Sequence, residues 1–306
     1  MTDRICAQAG ICEVEYLRGT MADPSAPPDV LLEVAHGATR AQHFADLRGA
    51  LRGSYAADLQ DFFFVNTDVG APELARAVAL RTVKMQPRRT ALVVRCLLPR
   101  TFVDCNRRID VTTVPAGTPA GALTPGLPPW IENDDDRRLL LQRYGVYRDT
   151  VTAAFAEVCG HGGLGLCVHT YAPRSIDVPV DAEIVKHLHA AYAADRIGSW
   201  PLRAAVDLIS HDPDGRELAS PQLVQRAQSE FTSAGFDVIS NGAYSLHPIT
   251  LAHGFAVAYP GRTLCLEVRR DLLVPEFTPF REMIPDPQRV DRAAAPLAAA
   301  VLASLP

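Results

Sequence analysis

Several features are absent from this sequence, and each absence excludes something. No apolar run reaches the roughly 18 residues that a membrane-spanning helix needs. The opening residues, MTDRICAQAG, carry no basic segment leading into an apolar one, so no secretory signal is expected. There is no basic stripe: acidic and basic residues are mixed along the chain and the net charge is −5, which argues against nucleic acid as a partner. No CxxC pair occurs among the seven cysteines, which are scattered and odd in number. They read as reduced, mostly buried thiols of a cytoplasmic protein. Internal repeats are not visible, and no linker forces a division of the 306 residues, so a single domain over 1–306 is expected.

What is present reads as an α/β protein. Hydrophobic residues make up 48% of the chain and charged residues 21%, enough for a sizeable core. Residues 1–28 look irregular and end in the Pro-rich ADPSAPPD. VLLEVAH (30–36), ALVVRCL (91–97), GLGLCVHTY (163–171), AAVDLIS (204–210), FDVIS (236–240) and TLCLEVRR (263–270) read as strands. Helices are expected near 39–52 and over 71–83, 137–159, 181–193, 220–234 and 286–303. Residues 111–130, rich in Pro and Gly, read as a long loop. The run Asp134, Asp135, Asp136 suits the positive end of the helix that follows, with a metal cluster as the alternative. Strands alternating with helices predict a three-layer α/β/α arrangement around a mixed, mainly parallel sheet.

In such sheets active sites gather at the carboxyl ends of strands. His36 closes the first strand, His169 closes GLGLCV, and Glu267 lies within the apolar TLCLEV. A charged Glu in such a run is costly unless it has a partner or a task. Two histidines and a glutamate together suggest a metal and a base, while each alone reads first as a structural or solvent-facing group. PRTFVDCNRRID (99–110) sets Asp104, Asn106, Arg107 and Arg108 behind an apolar strand, with Arg100 just before. An arginine fork matches a carboxylate, and a nearby Asp holds the fork in place. A salt-bridged surface turn would use the same residues.

These segments resemble those of the N-formylglutamate amidohydrolase family. PRTFVDCNR is similar to its Asp-x-Asn-Arg signature. VAHGA (34–38), NTDVGA (66–71), CVHTYAPRS (167–175), NGAYSLHPIT (241–250) and LCLEVRRDLL (264–273) resemble its other motifs, in family order. The resemblance implies the phosphorylase/hydrolase-like fold of zinc exopeptidases, aspartoacylase and succinylglutamate desuccinylase. It implies one Zn2+ bound by His36 and His169, and Glu267 as general base and later general acid. In carboxypeptidase-type relatives a Glu stands three residues after the first His, but here that residue is Thr39. Asp68 is therefore placed as the third ligand, with Asp61 in reserve. Arg100 would stabilise the oxyanion. Asn106 and Arg107 would grip the substrate carboxylate with Asp104 orienting them, and Arg174, Asn241 and Tyr244 would complete the substrate site.

The substrate loop departs from the family pattern of Asn-x-Pro, an aromatic and glycines. It reads Asn241-Gly-Ala-Tyr244-Ser-Leu-His247-Pro248. The implied reaction is hydrolysis of the amide bond of a small N-acyl amino acid, N-formyl-L-glutamate or similar, with no membrane partner. A zinc peptidase or peptidoglycan-type amidase on the same scaffold, or a non-catalytic binding protein, are the rival readings. His247 and His253 are expected to be structural. His187 and His189 receive no role, and Cys105 and Cys167 read as core packing.

Overall fold

The computed structural model describes residues 5–109 and 125–306. Seven strands form one sheet in the order β1-β3-β2-β4-β7-β5-β6. They are β1 Cys12–Arg18, β2 Val30–Val34, β3 Thr90–Cys96, β4 Leu164–Tyr171, β5 Val206–Ile209, β6 Val238–Ser240 and β7 Thr263–Arg269. Strands β3, β2, β4 and β7 run parallel to their neighbours in that block. β1 joins antiparallel to β3, and β5 joins antiparallel to β7 before pairing parallel with β6. The sheet is thus mixed and mainly parallel, as the alternation of strands and helices predicts.

Eight α-helices accompany the sheet among the described residues: α1 Ala41–Ala50, α2 Leu59–Asn66, α3 Ala71–Met85, α4 Asp134–Cys159, α5 Ile184–Ala191, α6 Pro221–Ser233, α7 Leu251–Ala258 and α8 Pro287–Ser304. Residues of α3, α6 and α8 pack with one face of the sheet. Residues of α1, α2, α4, α5 and α7 join the core on the other face. Covering both faces is what lets β2 and β4 be buried along their whole length. None of these helices is long and apolar enough to cross a membrane.

Local sequence explains the two longest helices. Asn133 caps α4 by accepting hydrogen bonds from the N–H groups of Asp135 and Asp136, and three aspartates fill the positive first turn. Its buried positions, Leu140, Tyr144, Tyr147, Val151 and Phe155 among them, recur every three or four residues and so make one stripe. Asp286 caps α8 in the same way, through the N–H groups of Gln288 and Arg289. Gly165 allows α4 to approach β4 closely: a Cβ there would lie 2.4 Å from the Phe155 ring. That ring in turn stacks on Phe255 of α7, with 4.0 Å between centroids.

Three elements depart from the sequence expectations. Cys12–Arg18 is an edge strand, not irregular chain, because its ladder to β3 supplies the hydrogen bonds that its charged sequence does not advertise. α2 and α7 were not expected, since LQDFFFVN and LAHGFAVA are short and apolar on most sides. The expected loop at 111–130 falls largely on residues 110–124, outside the described ones. Among the described residues no disulfide forms, and six of the seven cysteines are buried.

Candidate metal centre and its two cavities

The chain turns sharply after β2, and His36 sits at that turn, 4% exposed. Gly37 makes the turn possible, because a Cβ there would lie 2.5 Å from the Arg95 side chain and 2.9 Å from the Cys96 carbonyl. Neighbouring β4 and β7 are in register with His169 opposite Glu267, and β7 and β5 with Asp207 opposite Glu267. Residues paired in this way point to the same face. His169, Glu267 and Asp207 therefore form a polar row near the carboxyl ends of β4 and β7. Asp68 reaches the row from the segment between α2 and α3.

His36, Asp68 and His169 are all buried, and their donor atoms lie within 4.8 Å of one another. The Nδ1 atoms of both histidines face one oxygen of Asp68, at 3.3 Å for His36 and 2.9 Å for His169. Tetrahedral zinc, with bonds of about 2.0–2.2 Å, separates its ligand atoms by roughly 3.3–3.5 Å, so small side-chain shifts would seat it. The surroundings also fit. His36 turns its Nε2 to Asp104 Oδ1 at 2.8 Å, the carboxylate–histidine contact that orients a metal-bound imidazole. Arg270 donates to the other Asp68 oxygen at 3.2 Å. The Nε2 of His169 is buried with no hydrogen-bond partner.

The electrostatics follow from this crowding. Burial favours neutral Asp68, yet the two histidines hold its carboxyl well below the ordinary range. Burial likewise opposes charge on His169, but the hydrogen bond and charge of Asp68, with Glu267 behind, raise it to about 9. Asp104 is held well below the ordinary value against its burial, by Arg107, Arg100 and His36. Glu267 goes the other way, to about 7: burial and the negative charge of Asp68 outweigh His169, Arg203 and Arg270. Its Oε2 is buried and has no hydrogen-bond partner.

Two cavities meet at this centre. The first, about 130 Å³, is lined by His36, His169, Asn106, Arg107, His247 and Glu267 among others. The second, about 170 Å³, lies on the other side of Arg100, Tyr244 and Glu267, which line both. Arg100 donates to Asp104 Oδ2 at 2.9 Å, and Arg107 Nε lies 3.8 Å from the same oxygen. Asn106 is fixed by its backbone N–H to Asp104 and by Oδ1, which accepts from Ala252 N at the start of α7.

The structure thus brings together His36, Asp68, His169, Glu267, Arg100, Asn106, Arg107 and Tyr244. Arg174 lines the second cavity, with its Nη1 bonded to the carbonyls of Gly198 and Trp200. Asn241 lines neither cavity. Its φ is +56°, and its Oδ1 accepts from the N–H groups of Ser210 and His211, so its side chain ties its loop to the end of β5. The reserve ligand Asp61 sits apart, 2.8 Å from His189. Aspartates 134–136 serve the α4 terminus; Asp136 accepts from Arg52 N, Gly53 N and the Tyr55 hydroxyl.

Other site residues escaped sequence reasoning. Arg270 lies within LCLEVRRDLL, where the family resemblance gives it no role. Asp207 accepts from the N–H groups of Gly242 and Ala243, and so holds the loop that carries Tyr244. Glu33 lies on the same sheet face, fully enclosed, where burial raises its pKa, and Tyr147 donates its hydroxyl to it. A charged residue inside VLLEV was the available signal, of the same kind that singled out Glu267.

Comparison with known proteins agrees with this architecture. No curated protein sequence matches. Two solved structures are similar along nearly their whole length. The gene product Atu2144 from Agrobacterium tumefaciens is 17% identical, with 97% of this chain and 96% of that one covered and a TM-score of 0.56. An N-formylglutamate amidohydrolase from Ralstonia eutropha JMP134 is also 17% identical, with 95% and 96% covered and a TM-score of 0.54. At that identity the likeness is one of fold. The profile of the N-formylglutamate amidohydrolase family matches residues 29–274, from the start of β2 to just past β7, and so takes in every residue of the metal centre and most of both cavity walls. With most of the chain matched, this protein belongs to the N-formylglutamate amidohydrolase family.

Proposed function

We propose that this chain is a zinc-dependent amidohydrolase that cleaves the amide bond of an N-acyl amino acid, N-formyl-L-glutamate or a similar molecule. The observation that carries the reading is the position of Glu267. Glu267 lines both cavities, stands directly opposite His169 of the His-Asp-His cluster in the β4–β7 register, and keeps one carboxylate oxygen without a hydrogen-bond partner. A buried polar atom without a partner is expensive for a fold to keep, and a general base needs a lone pair not already engaged in a hydrogen bond.

His36, Asp68 and His169 would hold the zinc, with Asp104 and Arg270 orienting the first two through the contacts described above. The bound ion supplies a Lewis acid that lowers the pKa of water and polarises an amide carbonyl. Glu267 takes the proton of the attacking water and delivers it to the leaving amine nitrogen. Arg100, anchored by Asp104, faces the reacting carbonyl oxygen and stabilises the negative charge that grows there. Arg107 and Asn106 receive the carboxylate of the amino-acid half in the first cavity. Arg107 suits this work because it is buried on the wall of the first cavity, beside Asp104, where a planar fork of donors meets a carboxylate out of water. Tyr244 closes over both halves, carried by the loop that Asn241 and Asp207 fix.

The test is metal content together with turnover. Purified protein should carry about one zinc per chain and hydrolyse N-acyl amino acids. His36→Ala and His169→Ala should each lose the metal and the activity. Equal zinc in all three proteins would misplace the centre. Stoichiometric zinc without hydrolysis of any N-acyl amino acid would favour a binding role.

A further inference from the structure

The second cavity, about 170 Å³, is larger than the first, and much of its wall is apolar. An apolar cavity of about 150 Å³ is enough to enclose benzene, so this one has room for a ring or a short branched chain. A formyl group, the smallest of the acyl groups, leaves most of it unfilled. Phe62 of α2 and Ile184 and Leu188 of α5 line it, and all three are buried. Ile176, Val178 and Val180 join them from the segment between β4 and α5.

The sequence of that segment is patterned for the task. Ile176, Val178 and Val180 are half-buried and line the cavity, while Asp177, Pro179 and Asp181 between and after them are exposed. A period of two sets alternate side chains on opposite sides of an extended chain, so one side meets water and the other the cavity. The segment is tied at both ends. Ser175 N donates to the Pro201 carbonyl at 2.9 Å, and Arg174 Nη1 donates to the carbonyls of Gly198 and Trp200. At the far end Ile184 N donates to the Asp181 carbonyl at 3.2 Å. Three apolar side chains left partly uncovered at a cavity wall are what an apolar group of a ligand would cover. The arginines that also line the cavity are engaged within the protein. Arg100 is bonded to Asp104 and Arg270 to Asp68, while Arg203 lies over the rings of Tyr171 and Tyr244, 5.0 and 5.4 Å from their centroids.

We propose that the second cavity is an acyl pocket that takes an apolar acyl group of about four to seven carbons, with Val178 and Leu188 setting its length. This rests on the amidohydrolase reading above. There Asn106 and Arg107 hold the amino-acid half in the first cavity, and Arg100 and Glu267 stand on the wall common to both cavities. The scissile amide lies at that junction, so the half beyond it enters the second cavity. Covering the apolar wall supplies binding that a formyl group cannot provide.

The experiment holds the amino-acid half fixed as glutamate and varies the acyl group on the full, zinc-loaded chain: formyl, acetyl, butanoyl, hexanoyl, benzoyl and succinyl. In wild type kcat/KM should rise from formyl to hexanoyl by about 4-fold per added methylene until the cavity is full. Val178→Trp narrows the pocket and should lower the hexanoyl-to-acetyl ratio by about 10-fold or more, while Val178→Ala should move the optimum to longer chains. Opposite shifts from one position are what a merely structural role would not give. Calorimetry with the same compounds reads the preference without turnover and separates the two readings. Affinity that grows with chain length, with no hydrolysis of any compound, keeps the pocket and removes the amidohydrolase. Turnover and affinity that are flat or fall from formyl upward overturn the pocket, as does succinyl preferred over butanoyl. A length preference unchanged in both Val178 variants overturns it as well. Should Val178→Trp fail to fold, the wild-type series and Val178→Ala still decide.

Discussion

On the face toward α3, α6 and α8, the central strands present Leu32, Val34, Leu166, Val168, Leu264, Leu266, Val206 and Leu208, all buried and all apolar. On the opposite face the same strands present Glu33, Cys167, His169, Cys265, Glu267 and Asp207. One sheet thus has a face built for packing and a face built for chemistry, separated only by the two-residue period of a strand. A run such as TLCLEV carries both at once. Its alternate residues hold the fold together, and the intervening ones sit where a reacting group can reach them.

This division can be broken from either side. The largest effect is expected on the polar face. Glu267→Gln keeps the shape and removes the proton acceptor, so the rate should fall on the order of 10²–10⁴-fold while zinc content and melting temperature stay near wild type. Steady-state assay beside a thermal melt checks this, and a rate within a few-fold of wild type would take Glu267 out of the mechanism. Its neighbour Leu266, fully buried on the packing face, should behave in the opposite way. Leu266→Ala should lose about 2–5 kcal/mol of stability in denaturant titration, with kcat/KM per folded molecule little changed. If activity fell as steeply as in Glu267→Gln, the two faces would not be separable.

The smallest effect concerns a buried carboxylate that is fully partnered. Asp136 is held below the ordinary carboxylate pKa: burial opposes this, but the N–H of Arg52, the hydroxyl of Tyr55 and the N–H of Gly53 prevail. A depressed folded-state pKa stabilises the protein fully above the unfolded value of about 3.9, and the stabilisation is lost as pH falls through the folded value. Asp136→Asn should therefore be less stable than wild type by about 1–3 kcal/mol at pH 7. The gap should close as pH drops below about 4, with activity per folded molecule unaffected. A gap that is constant with pH would mean that the charge of Asp136 is not what its partners recognise.

The packing face was the more legible of the two in the sequence. Apolar runs bounded by Gly and Pro mark β2, β3, β4 and β7, since a strand covered on both sides needs little else. β1 was not legible, because CEVEYLR is half charged and becomes a strand only through its partner β3. Nor does any residue of AAVDLIS declare that β5 runs antiparallel to β7; direction is set by the path of the chain between them. At the centre, His36 and His169 stood out as polar residues closing apolar strands. Asp68 needed the family resemblance, since it lies on no strand. The pairing of His36 with Asp104 and of Asp68 with Arg270 spans 68 and 202 residues, distances at which spacing carries no information.

The order of the strands also bears on how the protein behaves at high concentration. A sheet that is not closed has two borders whose backbone groups can pair with another chain, and that is where aggregation starts. Here one border is β6, only three residues long and partly exposed. The other is β1, where Glu13 and Glu15 are held by Arg95 and Arg76 in ion pairs along the strand. A second molecule approaching β1 would have to disrupt these pairs and bring like charges together, and one approaching β6 would find almost no ladder to extend. The long apolar strands that carry the centre are all interior, so their stickiness is never offered to a neighbour.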